Sequence, residues 1–265
     1  MPSPRYKRIL LKISGEAFCP EGERGIDTDE IRSIARQIHA AAGRGAQIAV
    51  VVGGGNMVRG HDIAEKGIHS TTGDTMGMLA TVINALALQD VLESIGAFTR
   101  VLTAIPMQAV AEPFIRRRAI RHLEKGRIVI LAAGTGNPHF TTDTAAALRA
   151  AELGAEVLLK ATKVDGVYTA DPKKDPSARR LDRLGYLDVI TRGLAVMDRT
   201  AITLCMERAL PIIVFNLKKE GNILRAVNGE DIGTLVTGED AKDLRRGRGP
   251  NPSKGRSPAV KTKKS

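Results

Sequence analysis

Along the first 240 residues, short runs that are apolar nearly throughout alternate with stretches whose apolar residues recur at helical spacing. Arg8–Ser14 (RILLKIS) and Ile48–Val52 (IAVVV) read as buried strands, as do Phe98–Leu102, Ile128–Ala132 (IVILA), Glu156–Lys160 (EVLLK), Ile212–Phe215 and a last one near Gly233–Val236. Between the first two, Asp27-Thr28-Asp29-Glu30 offers an N-cap with an acid three residues on. It precedes the stripe Ile31, Ile34, Ile38 and Ala42, which ends near Gly43 and Gly45. Further helices are predicted over Asp74–Ile95, Glu112–Glu124, the Ala-rich Thr142–Leu153 and a region near Met197–Ala209. No internal repeat is present. Strands apolar on both faces, alternating with helices, predict a three-layer α/β fold: an open, mostly parallel sheet with helices on both faces.

Sheets of this kind bind ligands beyond the carboxyl ends of their strands, so the residues that each strand runs into are the candidates for chemistry. The first strand ends in Lys12-Ile13-Ser14-Gly15, and the second in Gly53-Gly54-Gly55-Asn56 with Arg59 close behind. The fourth runs into Gly134-Thr135-Gly136-Asn137-Pro138, followed by His139-Phe140-Thr141-Thr142-Asp143 at the start of a helix. The fifth ends in Lys160-Ala161-Thr162-Lys163-Val164-Asp165-Gly166. Glycines let backbone N–H groups close on an anion, a helix N-terminus adds a favourable dipole, and Lys or Arg supplies fixed charge for phosphoryl oxygens. The set suits a polyphosphate together with a second anionic ligand. Lys12 is the sharpest single signal, because an ammonium inside an apolar strand is unfavourable unless it emerges at the strand end or meets an anion. The other pieces also have plainer readings. A glycine run can be a turn, Lys160 a solvated strand end, and Asp74, Asp143 and Asp198 helix-start acids; Asp171-Pro172 fits a turn and Met76 and Met78 fit core packing.

Composition narrows the class. With 43% apolar and 26% charged residues among 265, the chain can bury a sizeable core, as one large α/β domain or two small ones. Its formal charge of +11 points at first to a polyanionic partner. Residues 241–265, however, hold nine Lys/Arg against the single acid Asp243, leaving residues 1–240 with 31 basic and 28 acidic side chains. The chain therefore divides into a nearly neutral domain over 1–240 and a basic tail over 241–265, too poor in apolar residues to fold and expected to be disordered. Aromatic residues amount to 3%, with no Trp, which argues against base stacking. Any nucleic-acid contact by the tail would be nonspecific and phosphate-directed. No signal-peptide core and no contiguous apolar run of about 18 residues occurs, so no membrane span is expected and a cytoplasmic location is. Cys19 and Cys205 stand far apart, and His39, His61, His69, His122 and His139 lack metal-ligand spacing, so no protein-held metal site is expected.

Neither GxxxxGK[ST] nor a GxGxxG after the first strand occurs, which disfavours P-loop enzymes and dinucleotide-binding folds, and the GxSxG elbow of hydrolases is missing. Five segments, in order along the chain, carry a specific likeness instead. They are Lys12-Ile13-Ser14-Gly15-Glu16; Gly53-Gly54-Gly55-Asn56 with Arg59-Gly60; Gly73-Asp74 with Met76-Gly77-Met78; Thr135–Asp143; and Lys160–Tyr168 with Asp171-Pro172. Together they closely resemble the bacterial uridylate kinases of the amino acid kinase superfamily, over a span from Arg5 to Thr237.

The resemblance implies the amino acid kinase fold and transfer of the γ-phosphate of ATP to UMP, with Mg2+, to give UDP for pyrimidine nucleotide biosynthesis. It implies that Lys12, Ile13, Ser14, Gly15, Gly55 and Arg59 hold the ATP phosphates, and that Thr162, Tyr168 and Asp171 line the adenine and ribose pocket. UMP would lie against Gly54, Asp74 and the run Thr135, Gly136, Asn137, Pro138, His139, Phe140, Thr141 and Thr142. Lys12 and Lys160, with Arg59, would neutralise the transferring phosphoryl group, and Asp143 and Asp198 would orient the lysines and a hydrated metal. A nucleoside monophosphate is already anionic at neutral pH, its second phosphate pKa being about 6, so no general base is needed. His139 departs from the Phe common at its position. The segment Pro20–Gly25 corresponds to one implicated in activation by GTP. Arg100 and Arg127 match effector contacts, whereas Glu93 and Arg116 depart from the usual His and Trp. GTP activation, UTP inhibition and a homohexamer are further implications. The alternatives are a kinase of the same fold acting on carbamate, an acylated amino acid or aspartate, against which the Thr135–Asp143 string argues, and a nucleic-acid-binding role for the tail.

Overall fold

The structure, a computed structural model, describes residues 4–58, 67–170, 172 and 174–238. Strand β1 (Arg8–Ile13) leads through a short 3-10 turn into α1 (Thr28–Ala42), then β2 (Gln47–Val52), α2 (Ser70–Ser94), β3 (Thr99–Thr103) and β4 (Glu112–Pro113). Helix α3 (Arg116–Glu124), β5 (Ile128–Ala132), α4 (Thr142–Leu153) and β6 (Val157–Thr162) follow. The last part comprises a hairpin of β7 (Val167–Tyr168) and β8 (Arg180–Leu181), then β9 (Arg183–Gly185), α5 (Tyr186–Thr191), α6 (Arg199–Glu207), β10 (Ile212–Asn216), α7 (Asn222–Val227) and β11 (Thr234–Thr237).

Among the described residues the main sheet has the order β4-β3-β5-β2-β1-β6-β10-β11-β9. Every neighbouring pair is parallel except β10 with β11. The chain adds β2 beside β1, passes to β3 and β4 at the edge, inserts β5 between β2 and β3, then crosses to place β6 and β10 on the other side of β1. Its direction of winding reverses between β1 and β6, the point at which open sheets of this type form a ligand crevice.

The apolar alternation along β1 explains the three layers. Ile9, Leu11 and Ile13 join one core with Ile31 and Ile38 of α1, Leu88 and Leu92 of α2 and Ile223 of α7. Leu10 faces the opposite core, with Leu123 of α3, Ala146 and Ala150 of α4, Val189 of α5 and Ile202 of α6. The predicted cap holds: Asp27 Oδ1 accepts the N–H groups of Asp29 and Glu30, each at 2.9 Å. Helix α2 is long and apolar enough, by length and composition, to cross a bilayer, although its apolar residues are not contiguous. Here it is a core helix, burying Val82, Ala85, Leu88 and Leu92 against the sheet.

One predicted element changes character. Glu112–Pro113 is an edge strand and the helix starts only at Arg116. Proline disfavours helical backbone in the residue before it and lacks an N–H for the ladder, which suits an edge strand. Helix α2 begins four residues earlier than the apolar pattern implied, with the His69 side chain accepting the Thr71 N–H.

Candidate active site

Two lysines meet at the point where the winding reverses. Lys12 of β1 and Lys160 of β6 are register partners on adjacent parallel strands, so their side chains leave the same face of the sheet about 4.8 Å apart. Strand β6 runs two residues past Lys160, which makes this lysine part of the strand rather than a solvated end. Both side chains are largely buried, at 9% and 15% exposure. Two buried ammonium groups side by side would repel strongly. Asp143, in the first turn of α4, lies between them, with Oδ1 2.8 Å from Lys12 Nζ and Oδ2 2.6 Å from Lys160 Nζ. Lys160 also donates to the Val196 carbonyl. The three groups together keep one net positive charge facing the strand ends.

The electrostatics follow from burial and pairing. Burial pushes the Asp143 carboxyl up, but the two ammonium groups outweigh it and hold it below its ordinary value of 3.8. The carboxylate therefore contributes stability that is fully present above 3.8 and is lost as pH falls through the depressed value. Lys160 has the opposite sign. Burial lowers its pKa from 10.5 against the pull of Asp143, so its charge costs stability at neutral pH. An anionic ligand beside it would offset that cost.

Asp198 sits one step back. Its carboxylate caps α6 by accepting the Ala201 N–H at 2.9 Å, and it accepts the hydroxyls of Thr141 at 2.5 Å and Thr144 at 2.9 Å. Thr141 in turn caps α4, its Oγ1 accepting the N–H groups of Asp143 and Thr144. Asp198 thus anchors the turn that carries Asp143, and its charge raises the pKa of Lys160 without an ion pair to it among the described contacts. Asp198→Ala is expected to lower stability by about 1–2 kcal/mol through loss of the cap. A urea-denaturation midpoint equal to that of the wild type would contradict this.

Two loops close over the strand ends. A Cβ on Gly15 would lie 2.6 Å from Asn56 Oδ1 and 2.7 Å from the Gly55 nitrogen, so the first-strand loop packs directly on the triglycine turn. Beside that turn is a cleft of about 190 Å³. Gly54, Asp74, Asn137, Phe140 and Thr142, all expected at UMP, line it, with Gly55, expected at the ATP phosphates, and Val58, Gly73, Gly77, Met78, Thr81 and Gly134. Asp74 Oδ2 accepts the His139 N–H at 2.9 Å, and the His139 imidazole is 68% exposed at this edge. Thr135, Gly136, Pro138, His139 and Thr141 of the predicted acceptor run do not line the cleft; Thr135 braces the turn through Asn137 instead. Thr81 was absent from the sequence reading, yet its hydroxyl accepts the Ala133 N–H at 2.8 Å where the backbone has a φ of 60°. Its signal was helical spacing: Asp74, Gly77 or Met78, and Thr81 share one face of α2.

A second, smaller cleft opens beyond β6 and β10, lined by Asp165, Arg180, Asn216, Lys219, Asn222 and Arg225 among others. Lys219 and Asn216 both donate to Asp165 and hold its carboxyl below the ordinary value. The carboxyl-end rule, extended to the strand ending at Asn216, would have found it. Thr162 stands at this end of β6, its hydroxyl donating to the Val164 carbonyl, and Tyr168 is half-buried in β7. Ile13 is buried within β1, while Ser14 and Gly15 begin the 3-10 turn. Arg59 and Asp171 lie outside the described residues, as does the tail from residue 239 onward. The arrangement is thus two clefts on either side of a buried, net positive pair of lysines.

Comparison with known proteins bears on the family and the fold. Residues 7–216 match the model of the amino acid kinase family. UMP kinase from Bacillus anthracis superposes with a TM-score of 0.86 at 40% identity, covering 89% of this chain and 97% of that one. UMP kinase from Ureaplasma parvum gives 0.82 at 35% identity, covering 88% and 99%, respectively. Uridylate kinase from Archaeoglobus fulgidus gives 0.68 at 31%, covering 86% and 99%.

Proposed function

The chain belongs to the amino acid kinase family, and from that premise we propose that it is a UMP kinase, transferring the γ-phosphoryl group of ATP to UMP to give ADP and UDP. The observation that carries this reading is the Lys12–Asp143–Lys160 arrangement between two clefts at the strand ends. UMP takes the cleft beside Gly54 and Asp74, and the ATP nucleoside takes the one beyond β6 and β10. The UMP phosphate brings its own anionic nucleophile, so the protein supplies alignment and charge rather than a base. Lys12 and Lys160 stabilise the equatorial oxygens of the group in transit, the N–H groups of the Gly15 and Gly55 loops receive the ATP phosphates, and Arg59 keeps the phosphate-binding role that the sequence resemblance implies for it. Asp143 holds the two ammonium groups side by side and opposes the effect of burial on Lys160.

The donor set suits Mg2+ carried by the ATP phosphates and water. Asp143 is engaged by the two lysines and Asp198 by Thr141, Thr144 and the Ala201 N–H, which leaves the ion to phosphate oxygens and water. Such an ion would screen phosphate charge during transfer. The cytoplasm, where ATP and UMP are supplied, is the matching compartment, and the product feeds pyrimidine nucleotide synthesis.

Regulation by GTP and UTP belongs to the same reading. Arg100 and Arg127 meet in one network, Arg100 pairing with Glu112 at 3.5 Å and Arg127 reaching Glu112 through His122. Glu93 instead accepts the Thr99 hydroxyl. Leu79, Ile83 and Phe98 leave apolar side chains exposed on and beside α2, which favours self-association; the hexamer itself is carried only by the sequence resemblance. The choice of acceptor tests the central reaction: UMP should give the fastest ADP release among UMP, CMP, dTMP, AMP and carbamate.

A further inference from the structure

Asn56 follows the triglycine turn and Asn84 lies in the middle of α2; both side chains are buried, at 1% and 0% exposure. Asn84 Nδ2 donates to Asn56 Oδ1 at 2.7 Å, and Asn56 Nδ2 donates back to Asn84 Oδ1 at 3.1 Å. The second hydrogen of each amide is also used. Asn84 Nδ2 reaches the Gly53 carbonyl at 2.7 Å, and Asn56 Nδ2 reaches the Gly25 carbonyl at 2.6 Å. The Gly25 N–H returns to the Asn56 carbonyl at 3.0 Å. All four amide hydrogens are satisfied, a costly arrangement to bury unless it is complete. Three backbone segments meet at this point: the end of the Pro20–Gly25 segment, the turn carrying Gly54 and Gly55, and the helix that carries Asp74.

We propose that the reciprocal Asn56–Asn84 amide pair is a positioning device for phosphoryl transfer, fixing the glycine turn against α2 so that both phosphates meet in line. This rests on the UMP kinase reading. An apolar side chain at either position would fill space equally well but would leave the Gly53 or Gly25 carbonyl without its donor. Gly54 and Gly55 flank the two ligands, so a small shift of the turn misaligns the reacting atoms more than it weakens either nucleotide.

The test compares Asn84→Ala with Leu88→Ala, which removes apolar core one turn further along the same helix. Both are assayed well below their melting temperatures. Asn84→Ala should lose about 10- to 100-fold in kcat with a smaller change in KM for ATP and UMP. Leu88→Ala should lose stability while keeping kcat per folded molecule. Hydrogen exchange of the amides of residues 53–58 should quicken in Asn84→Ala and stay unchanged in Leu88→Ala, a readout independent of turnover. A kcat within about twofold of wild type, or unaltered exchange in this turn, would overturn the proposal. Quickened exchange in a chain that ignores UMP would instead sink the reaction assigned to the site. Asn56→Ala breaks the same pair from the loop side and carries the same expectation if Asn84→Ala does not fold. If neither variant folds, the pair serves folding and the proposal falls.

Discussion

Replacing Asp143 by alanine is expected to lower kcat by about 100- to 1000-fold and to cost about 3–5 kcal/mol of stability. The carboxylate is the only anion drawn between Lys12 and Lys160 among the described contacts, 2.8 and 2.6 Å from their ammonium groups. Without it, two buried positive charges face each other across adjacent strands. Lys160 would then relieve the repulsion by losing its proton, removing a cation from the phosphoryl group in transit. A double change, Asp143→Ala with Lys160→Met, separates the two effects. Removing both charges should recover much of the lost stability while leaving turnover as low as in the single variant. Denaturation midpoints and single-turnover rates measure the two quantities independently. Recovery of turnover along with stability would mean that Lys160 has no part in the chemistry.

The second large effect concerns two neighbouring glycines. A Cβ on Gly54 would lie 2.7 Å from the Gly77 carbonyl oxygen, 3.0 Å from Ala80 Cβ and 3.2 Å from the Thr81 nitrogen, all on α2. Helix backbone gives little, so the turn must move away and open the cleft beside Asp74. Gly54→Ala should therefore lower kcat/KM for UMP by about 100-fold. A Cβ on Gly55 meets no atom of the described residues within 4 Å. Gly55→Ala should fold with the stability of the wild type yet weaken ATP, because the methyl projects where the phosphates pass. Unchanged KM for ATP in Gly55→Ala would show that the phosphates do not approach this glycine.

The central strands were legible because burial on both faces leaves a continuous apolar signature, which is why Ile128–Ala132 was bounded correctly. Lys12 could be singled out as an anomaly inside such a run. Its pairing with Lys160 could not, since that depends on β6 lying next to β1 and on the register between them. Asp143 and Asp198 looked alike as helix-start acids. Only the tertiary structure separates the one that bridges the lysines from the one that caps α6 and holds Thr141 and Thr144. Helices α5 and α7, with six residues each, are too short to display a helical period, and the strands β7 to β9 have three residues or fewer. The Asn56–Asn84 pair left no sequence signal, because two amides 28 positions apart become partners only once α2 packs on the turn.

UMP phosphorylation is tested most directly by initial rates of ADP release from ATP by the purified 265-residue chain with UMP, CMP, dTMP, AMP or carbamate as acceptor, with and without GTP. Membership of the amino acid kinase family and 40% identity to a UMP kinase, together with a cleft beside Gly54 and Asp74 at the end of the lysine-bearing strands, predict that UMP is the best acceptor by kcat/KM. It also predicts that UDP forms in equal amount to ADP. A higher kcat/KM for carbamate or another nucleotide, or ADP release without UDP, would contradict it.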